Sequence, residues 1–152
     1  MIDDEIIARG GVPNRVTRQQ VGIEIHEAKG QRWLCEKVLE RVAEEKLIVI
    51  DGLRFPEDHA FFFERFGSEF IHLHIDASEK VRSIRYVEGE YDGSPFDVSD
   101  RQPVEAKIEE LSKLANAHVK NESSVAQLKN KVLNSVRTLC QDQNLECPSR
   151  LL

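Results

Sequence analysis

The stretch Leu47-Ile-Val-Ile-Asp-Gly-Leu-Arg54 constrains the possible folds more than any other part of this chain. Four consecutive apolar residues without alternation are typical of a parallel strand that is covered on both faces. The Asp51-Gly52 pair ends such a strand at the edge where open α/β sheets bind their ligands. The pattern therefore predicts a buried strand over 47–51 that places Asp51 and Arg54 at a binding edge. The alternative is that Asp51 caps the next helix and Arg54 is a surface charge.

The composition is that of an ordinary globular domain. The 152 residues are 40% hydrophobic and 32% charged, which is enough apolar content for one domain with a substantial core. The formal net charge of -6 argues against a general binder of nucleic acids or anionic membranes, although a local basic pocket for phosphate is compatible with it. Neither a membrane-spanning apolar stretch nor a secretory signal is visible, so a cytoplasmic location is expected.

Helices separated by short strands are predicted for the rest of the chain. Helical spacing of apolar residues, with capping or breaking residues at the ends, predicts helices over 3–8, 17–28, 33–45, 56–66, 78–88, 104–114 and from 125 onward. Strands are predicted at 69–75 and 117–120. This alternation predicts an α/β fold, a three-layer sandwich with a mainly parallel sheet. Residues 1–141 are expected to form one domain with a lid-like loop over 89–103, followed by a flexible tail over 142–152.

Several polar side chains in this framework suit phosphate or metal chemistry. Asp51 could hold the water shell of a magnesium ion, since that ion prefers oxygen ligands and keeps several waters. Arg54 offers a planar fork for a phosphate. Arg82 and Arg85 lie three residues apart on one predicted helix face before the long loop, so both could reach a polyphosphate. The alternative for this pair is a solvated helix face.

Histidine, cysteine and phenylalanine residues favour structural roles. His72 and His74 point to the same side of their predicted strand, but no third metal ligand is identifiable, so packing beside a helix is favoured over a metal site. The phenylalanines at 61–66 are assigned to the core. Cys35 has no accompanying His/Asp constellation and is assigned to buried packing. With Cys140 and Cys147 it makes an odd set without a CxxC pair, which predicts reduced thiols.

Four segments carry a resemblance in residue type and order: Arg18–Glu24, Val49–Arg54, Phe70–Ala77 followed by Val81–Arg85, and His118–Ser123. Together they resemble the P-loop small-molecule kinases, a group that contains nucleoside monophosphate kinases, dephospho-coenzyme A kinase and the animal type of phosphomevalonate kinase. Arg18–Glu24 resembles the acceptor-side helix, and Val49–Arg54 resembles the strand that ends in Asp-Gly and an acceptor-binding arginine. The third segment resembles the later core strand with the helix that leads into the lid. His118–Ser123 resembles the last strand with the loop beside the ATP base. The resemblance covers roughly residues 15–138.

The resemblance implies ATP-dependent phosphoryl transfer to a nucleoside monophosphate or a similar small phosphorylated acceptor, with Mg²⁺ and ATP as cofactors. It implies acceptor binding by Arg18, Gln20, His26 and Arg54, catalysis by Asp51, Arg82 and Arg85 with Mg²⁺ held through water by Asp51, and ATP binding by Asn121 and Ser123. Relatives tend to carry arginine at the position of His26. No general nucleic-acid or membrane partner is implied.

One departure from the family concerns both fold and chemistry. These kinases begin with a strand, a GxxxxGK[ST] loop and a helix, whose backbone N–H groups and lysine cradle the nucleotide phosphates. This chain contains no such motif. The strand in question lies between those that correspond here to 47–51 and 69–75, so a homo-oligomer or partner chain could complete the sheet. Three interpretations follow: a kinase piece completed from elsewhere, an inactive kinase-like module that binds nucleotides or proteins, or an unrelated α/β domain.

Overall fold

The computed structural model describes residues 2–42, 44–86, 95–97 and 103–147. Contacts within the chain divide it into two compact units, Met1–Ile50 with Val87–Ser99 and Asp51–Tyr86 with Asp100–Leu152. The prediction of one domain over 1–141 stays a prediction. The predicted lid-like loop over 89–103 falls outside the described residues except for 95–97 and 103, and the last five residues of the predicted tail also fall outside them.

The first unit contains three consecutive helices: α1 (Ile2–Ala8), α2 (Arg15–Lys29) and α3 (Gln31–Arg41). The start of α2 is set by a reciprocal cap, because the Asn14 side chain accepts from the Thr17 amide and the Thr17 hydroxyl accepts from the Asn14 amide. Gly30 separates α2 from α3 with a φ of 84°, a conformation that favours glycine. The helices predicted for this region are confirmed, although α3 ends at Arg41 and not at residue 45.

The core of the first unit is small and lies between α1 and α2. Ile6, Val21 and Ile25 are buried together, and partly buried apolar side chains from α1 and α3 pack against them. The helical spacing of Val21, Ile25 and Ala28 predicts a common apolar stripe on α2, and of these three Val21 and Ile25 are buried whereas Ala28 is exposed. Cys35 is buried as well, as predicted.

The predicted strand over 47–51 is wrong. These residues belong to no strand, and the Val49 side chain is 84% exposed. A strand needs a neighbour for its backbone N–H and C=O groups and a cover for its apolar faces. The apolar run at 47–51 predicts a strand, but it does not show whether a neighbouring strand exists. The described part of the chain provides no neighbouring strand for this segment.

The second unit is a mixed α/β structure. In chain order it contains α4 (Pro56–Phe66), a 3-10 helix (Gly67–Glu69), β1 (Leu73–Asp76), α5 (Glu79–Arg85), α6 (Pro103–Ser112), β2 (Ala117–Lys120) and α7 (Val125–Asp142). The two strands pair in parallel with Leu73 opposite Ala117 and Asp76 opposite Lys120. The α/β class and the parallel pairing are confirmed, in a sheet that has two strands among the described residues.

Element boundaries in the second unit follow the local capping chemistry. Pro56 begins α4. The Asp58 carboxylate accepts from the Phe55 amide, so this backbone N–H at the start of the helix has a hydrogen-bond partner. Ser124 is the N-cap of α7, and its hydroxyl accepts from the Gln127 amide at 3.4 Å. The strand predicted over 69–75 starts later, at Leu73, because Gly67–Glu69 extends the preceding helix by one 3-10 turn.

An aromatic cluster forms much of the core of the second unit. Phe61 and Phe62 of α4 are buried with ring centroids 5.2 Å apart, and Phe70 lies 5.9 Å from Phe62. His72, just before β1, is buried, and its ring lies 5.2 Å from that of His59 on α4. The predicted packing of His72 beside a helix is therefore observed, as is the core role of Phe61 and Phe62, whereas Phe63 is exposed.

Candidate functional site

Three of the predicted site residues meet where α5 ends. The Arg85 guanidinium donates from Nη1 to the backbone oxygen of Asn121 at 2.8 Å and from Nη2 to that of Ser123 at 3.0 Å. Asn121 directly follows β2, and its amide donates to the backbone oxygen of Asp76 at 2.7 Å. The loop after β2 is thus held against the end of β1 and against α5. We refer to Asn121–Ser124 with Ser78 and Arg85 as the α5 clamp.

The other end of α5 is tied to the same loop. The Glu122 carboxylate accepts from the Ser78 amide at 2.6 Å and from the Ser78 hydroxyl at 2.9 Å. These two hydrogen bonds hold the pKa of Glu122 below its usual value. Ser78 precedes α5, so its amide is one of the donors that a helix start leaves without a helical partner. Both ends of a seven-residue helix are therefore fastened by one loop.

The helix α5 carries two predicted site arginines, and the contacts of Arg85 are part of the α5 clamp. Two N–H groups of Arg85 are used to hold backbone carbonyls, so this side chain positions the loop before it can act on any ligand. Arg82 lies one turn earlier on α5 and its side chain is exposed. Of the predicted pair, Arg85 is therefore the residue whose contacts shape the site.

Asp51 and Arg54 lie together on the loop that precedes α4. Both side chains are exposed, and Gly52 between them has a φ of 82°. The left-handed backbone at Gly52 turns the chain there, which is a position where glycine carries no steric penalty. A single carboxylate such as Asp51 fits the usual way proteins hold Mg²⁺, through waters and ligand phosphates.

Three of the four predicted acceptor residues, Arg18, Gln20 and His26, lie in the first unit, on α2. Arg18 donates to both carboxylate oxygens of Asp3, from Nε at 2.7 Å and from Nη2 at 3.0 Å. This bidentate pair lowers the pKa of Asp3 and raises the pKa of Arg18. Any phosphate that used Arg18 would therefore have to displace Asp3.

Gln20 lines a shallow pocket of about 200 Å³ in the same unit. Its amide donates to Glu24 at 3.2 Å, and Glu24 also accepts from Arg9 at 2.6 Å. The pocket therefore presents a carboxylate that is already paired with one cation. His26 lies in the last turn of α2, where its backbone oxygen accepts from the Gly30 amide.

Sequence reasoning missed Ser78 and Glu122 as members of the clamp. Ser78 was visible as a helix cap, and Glu122 lay inside the loop assigned to ATP, but the two residues are 44 positions apart. Only the parallel pairing of β1 with β2 brings the residues that follow each strand to the same edge of the sheet. A local signal for this contact does not exist.

Neither a metal cluster of three side chains nor a membrane-spanning helix occurs among the described residues. No group of three or more His, Cys, Asp or Glu side chains in that part of the chain is arranged to hold a metal ion. None of the helices described has the length and apolar content needed to cross a membrane. Comparisons with models of known protein families, with curated proteins and with solved structures give no match.

Proposed function

We propose that this chain is the acceptor-side and lid-side part of a P-loop small-molecule kinase, with a three-layer fold that lacks its phosphate-loop strand. When the phosphate loop is supplied from elsewhere, the assembly transfers the terminal phosphoryl group of ATP to a nucleoside monophosphate or a similar small phosphorylated acceptor. Mg²⁺ and ATP would supply the charge neutralisation and the transferred group. The proposal rests on the resemblance and on one structural observation.

That observation is the pairing of the strands. In the family, the phosphate-loop strand lies between the strands corresponding to 47–51 and 69–75. A chain without this strand would leave 47–51 without a neighbour, while the strands on the other side could still pair. The structure has this pattern, because β1 pairs in parallel with β2 and residues 47–51 belong to no strand. The apolar segment 47–51, which pairs with no strand among the described residues, thus supports the proposal.

The α5 clamp is consistent with the roles that the resemblance implies. Asn121 and Ser123, the residues proposed to lie beside the ATP base, are held in place by Arg85 through their backbone oxygens. In this proposal the side chains of both residues contact the nucleotide. Arg82 would neutralise charge that develops on the transferred group, and Asp51 would hold the water shell of Mg²⁺. Arg54 would bind the acceptor phosphate through its planar fork.

A second candidate function is binding without turnover. The observation that favours it is the absence of GxxxxGK[ST] from the sequence, since the lysine and the backbone N–H groups of that loop provide much of the phosphate binding in P-loop enzymes. In this alternative the chain is a catalytically inactive module that binds a nucleotide or a protein.

Calorimetric titration of the purified chain with Mg·ATP, followed by each nucleoside monophosphate, tests the proposal. We expect saturable binding of a phosphorylated acceptor and little or no phosphoryl transfer by the chain alone. Robust ATP-dependent phosphorylation by the chain alone would show that it is a complete enzyme. This result would overturn the proposal that the phosphate loop is supplied from elsewhere. A folded chain that binds neither ATP nor any monophosphate would contradict the kinase assignment.

The variant Arg54→Ala sharpens this test. We expect it to weaken acceptor binding by about tenfold or more, because a charge-assisted bidentate contact with phosphate is lost, without a change in circular dichroism. The matched control is Arg65→Ala, which removes an exposed arginine from α4 in the same unit. Equal loss of binding in the two variants would indicate a general charge effect and would remove Arg54 from the site.

A further inference from the structure

Four of the five histidines in the chain gather near the two-stranded sheet. His59 and His72 contact each other at the start of β1, and His74 and His118 contact each other within the sheet. The kinase proposal gives none of these four a role. His72 is buried in the aromatic cluster, and His59 Nε2 lies 3.1 Å from the backbone oxygen of Leu114, so His74 and His118 form the pair considered for a ligand.

His74 and His118 are direct partners in the parallel register of β1 and β2. Partners in register project from the same face of a sheet, and here the two ring centroids are 5.4 Å apart with the ring planes inclined by 56°. Two imidazoles adopt about this separation when a nitrogen of each points at one ion roughly 2 Å away. His118 is exposed and His74 is half-buried, so an ion can enter from solvent.

The charges on this face also favour a cation. Asp76 follows His74 by two residues and therefore lies on the same face, and its Oδ1 atom is buried without a hydrogen-bond partner. The opposite strand carries Lys120, whose ammonium lies 4.0 Å from the other carboxylate oxygen, Oδ2. The Lys120 side chain is largely exposed and can move away, whereas the Asp76 oxygen remains unsatisfied.

We propose that His74 and His118 form a two-histidine site for a divalent transition-metal ion of the Zn²⁺ or Ni²⁺ class. Water or a bound anion completes the coordination, because the described residues offer no set of three protein ligands. Imidazole nitrogen is a ligand that these ions prefer and that Mg²⁺ does not, so the site is distinct from the proposed magnesium site at Asp51.

Equilibrium binding of Zn²⁺ and Ni²⁺ to the purified metal-free chain tests the site. We expect one equivalent of each ion to bind and Mg²⁺ not to compete. His74→Gln and His118→Gln should each weaken Zn²⁺ binding by about tenfold or more, because one ion cannot be chelated by a single ring. Unchanged Zn²⁺ affinity in the double variant His74→Gln/His118→Gln would overturn the proposal. The absence of Zn²⁺ binding by a folded wild-type chain would also overturn it.

Thiols are the competing ligands, so a cysteine control is needed. The Cys147 thiol is in hydrogen-bond contact with Cys140, and such a pair could bind Zn²⁺ by itself. Cys147→Ser should leave the binding unchanged, and loss of binding in this variant would transfer the site to the thiols and overturn the proposal. If a histidine variant does not fold, NMR of the wild-type chain with Ni²⁺ replaces it. Broadening must then be strongest at the His74 and His118 rings, and broadening centred elsewhere contradicts the assignment.

Discussion

The pair of helices α1 and α2 and the strand-containing region from α4 to β2 reach order by different means. Between α1 and α2 the core has three buried side chains, and exposed ion pairs such as Arg18 with Asp3 and Arg9 with Glu24 surround it. The second region instead buries aromatic rings from α4 against the residues that precede β1. Exposed ion pairs stabilise a fold little, whereas buried rings stabilise it much. We therefore expect core truncation and pH change to destabilise the second region more than the helix pair.

The largest effect is expected from Phe62→Ala. This side chain is 2% exposed, and its removal leaves a cavity in the aromatic cluster, so the free energy of unfolding should fall by about 3–5 kcal/mol. Urea unfolding followed by circular dichroism measures the change. The control is Phe63→Ala, one residue away and 57% exposed, which should cost far less. Equal losses would show that the cluster is not the core of this region.

A smaller loss is expected from Ile6→Ala in the helix pair, about 2–4 kcal/mol. Ile6 is 2% exposed between α1 and α2, and Ile7, at 61% exposed, provides the matched control Ile7→Ala. The same urea titration applies. If Ile6→Ala changed stability no more than Ile7→Ala did, the ion pairs and not the apolar contacts would be holding the two helices together, and the comparison would fail.

The third prediction concerns acid. Burial lowers the pKa of His72 to about 4, whereas in the unfolded chain its pKa is 6.5. Between these values the unfolded state binds the extra proton, so stability is fully present above about pH 6.5 and falls as the pH drops towards 4, by up to about 3 kcal/mol. His72→Leu should flatten this dependence. Parallel pH profiles for wild type and His72→Leu, measured by urea unfolding, would exclude His72 as the source.

The smallest effect is expected from Asp3→Asn. This change removes the charge that accepts both hydrogen bonds from Arg18, but the pair is exposed to solvent. We expect a small drop in melting temperature at low salt that disappears at high salt, since screening weakens the wild-type pair. A large, salt-independent drop would mean that the ion pair matters as much as the apolar core between α1 and α2.

Local chemistry made the helices of this chain predictable. Caps and breakers such as Asn14, Pro56 and Ser124 act within one turn, and the structure confirms the helices they begin. The strand at 47–51 was not predictable in the same way, because pairing requires a partner from another part of the molecule. The apolar residues at 47–51 favour burial, but they do not show whether another segment packs against them.

The candidate site also combines residues that the sequence predicts with contacts that only the structure shows. Arg85, Asn121 and Ser123 could be named from the sequence, but their contact joins residues 36 and 38 positions apart and depends on the parallel register of two four-residue strands. The partner of Arg18 was likewise invisible, since Asp3 lies on a different helix. Side-chain roles that require a partner distant in sequence could be proposed but not assigned.

The sequence by itself determined where helices occur and that Val21, Ile25, Phe61 and Phe62 are buried, because capping and helical periodicity operate over a few neighbouring residues. Only the tertiary structure decided that 47–51 has no strand partner, that Arg85 holds a loop, and that His74 faces His118. Each of these depends on hydrogen bonds or ring contacts between distant segments, and their geometry exists only after the strands have paired.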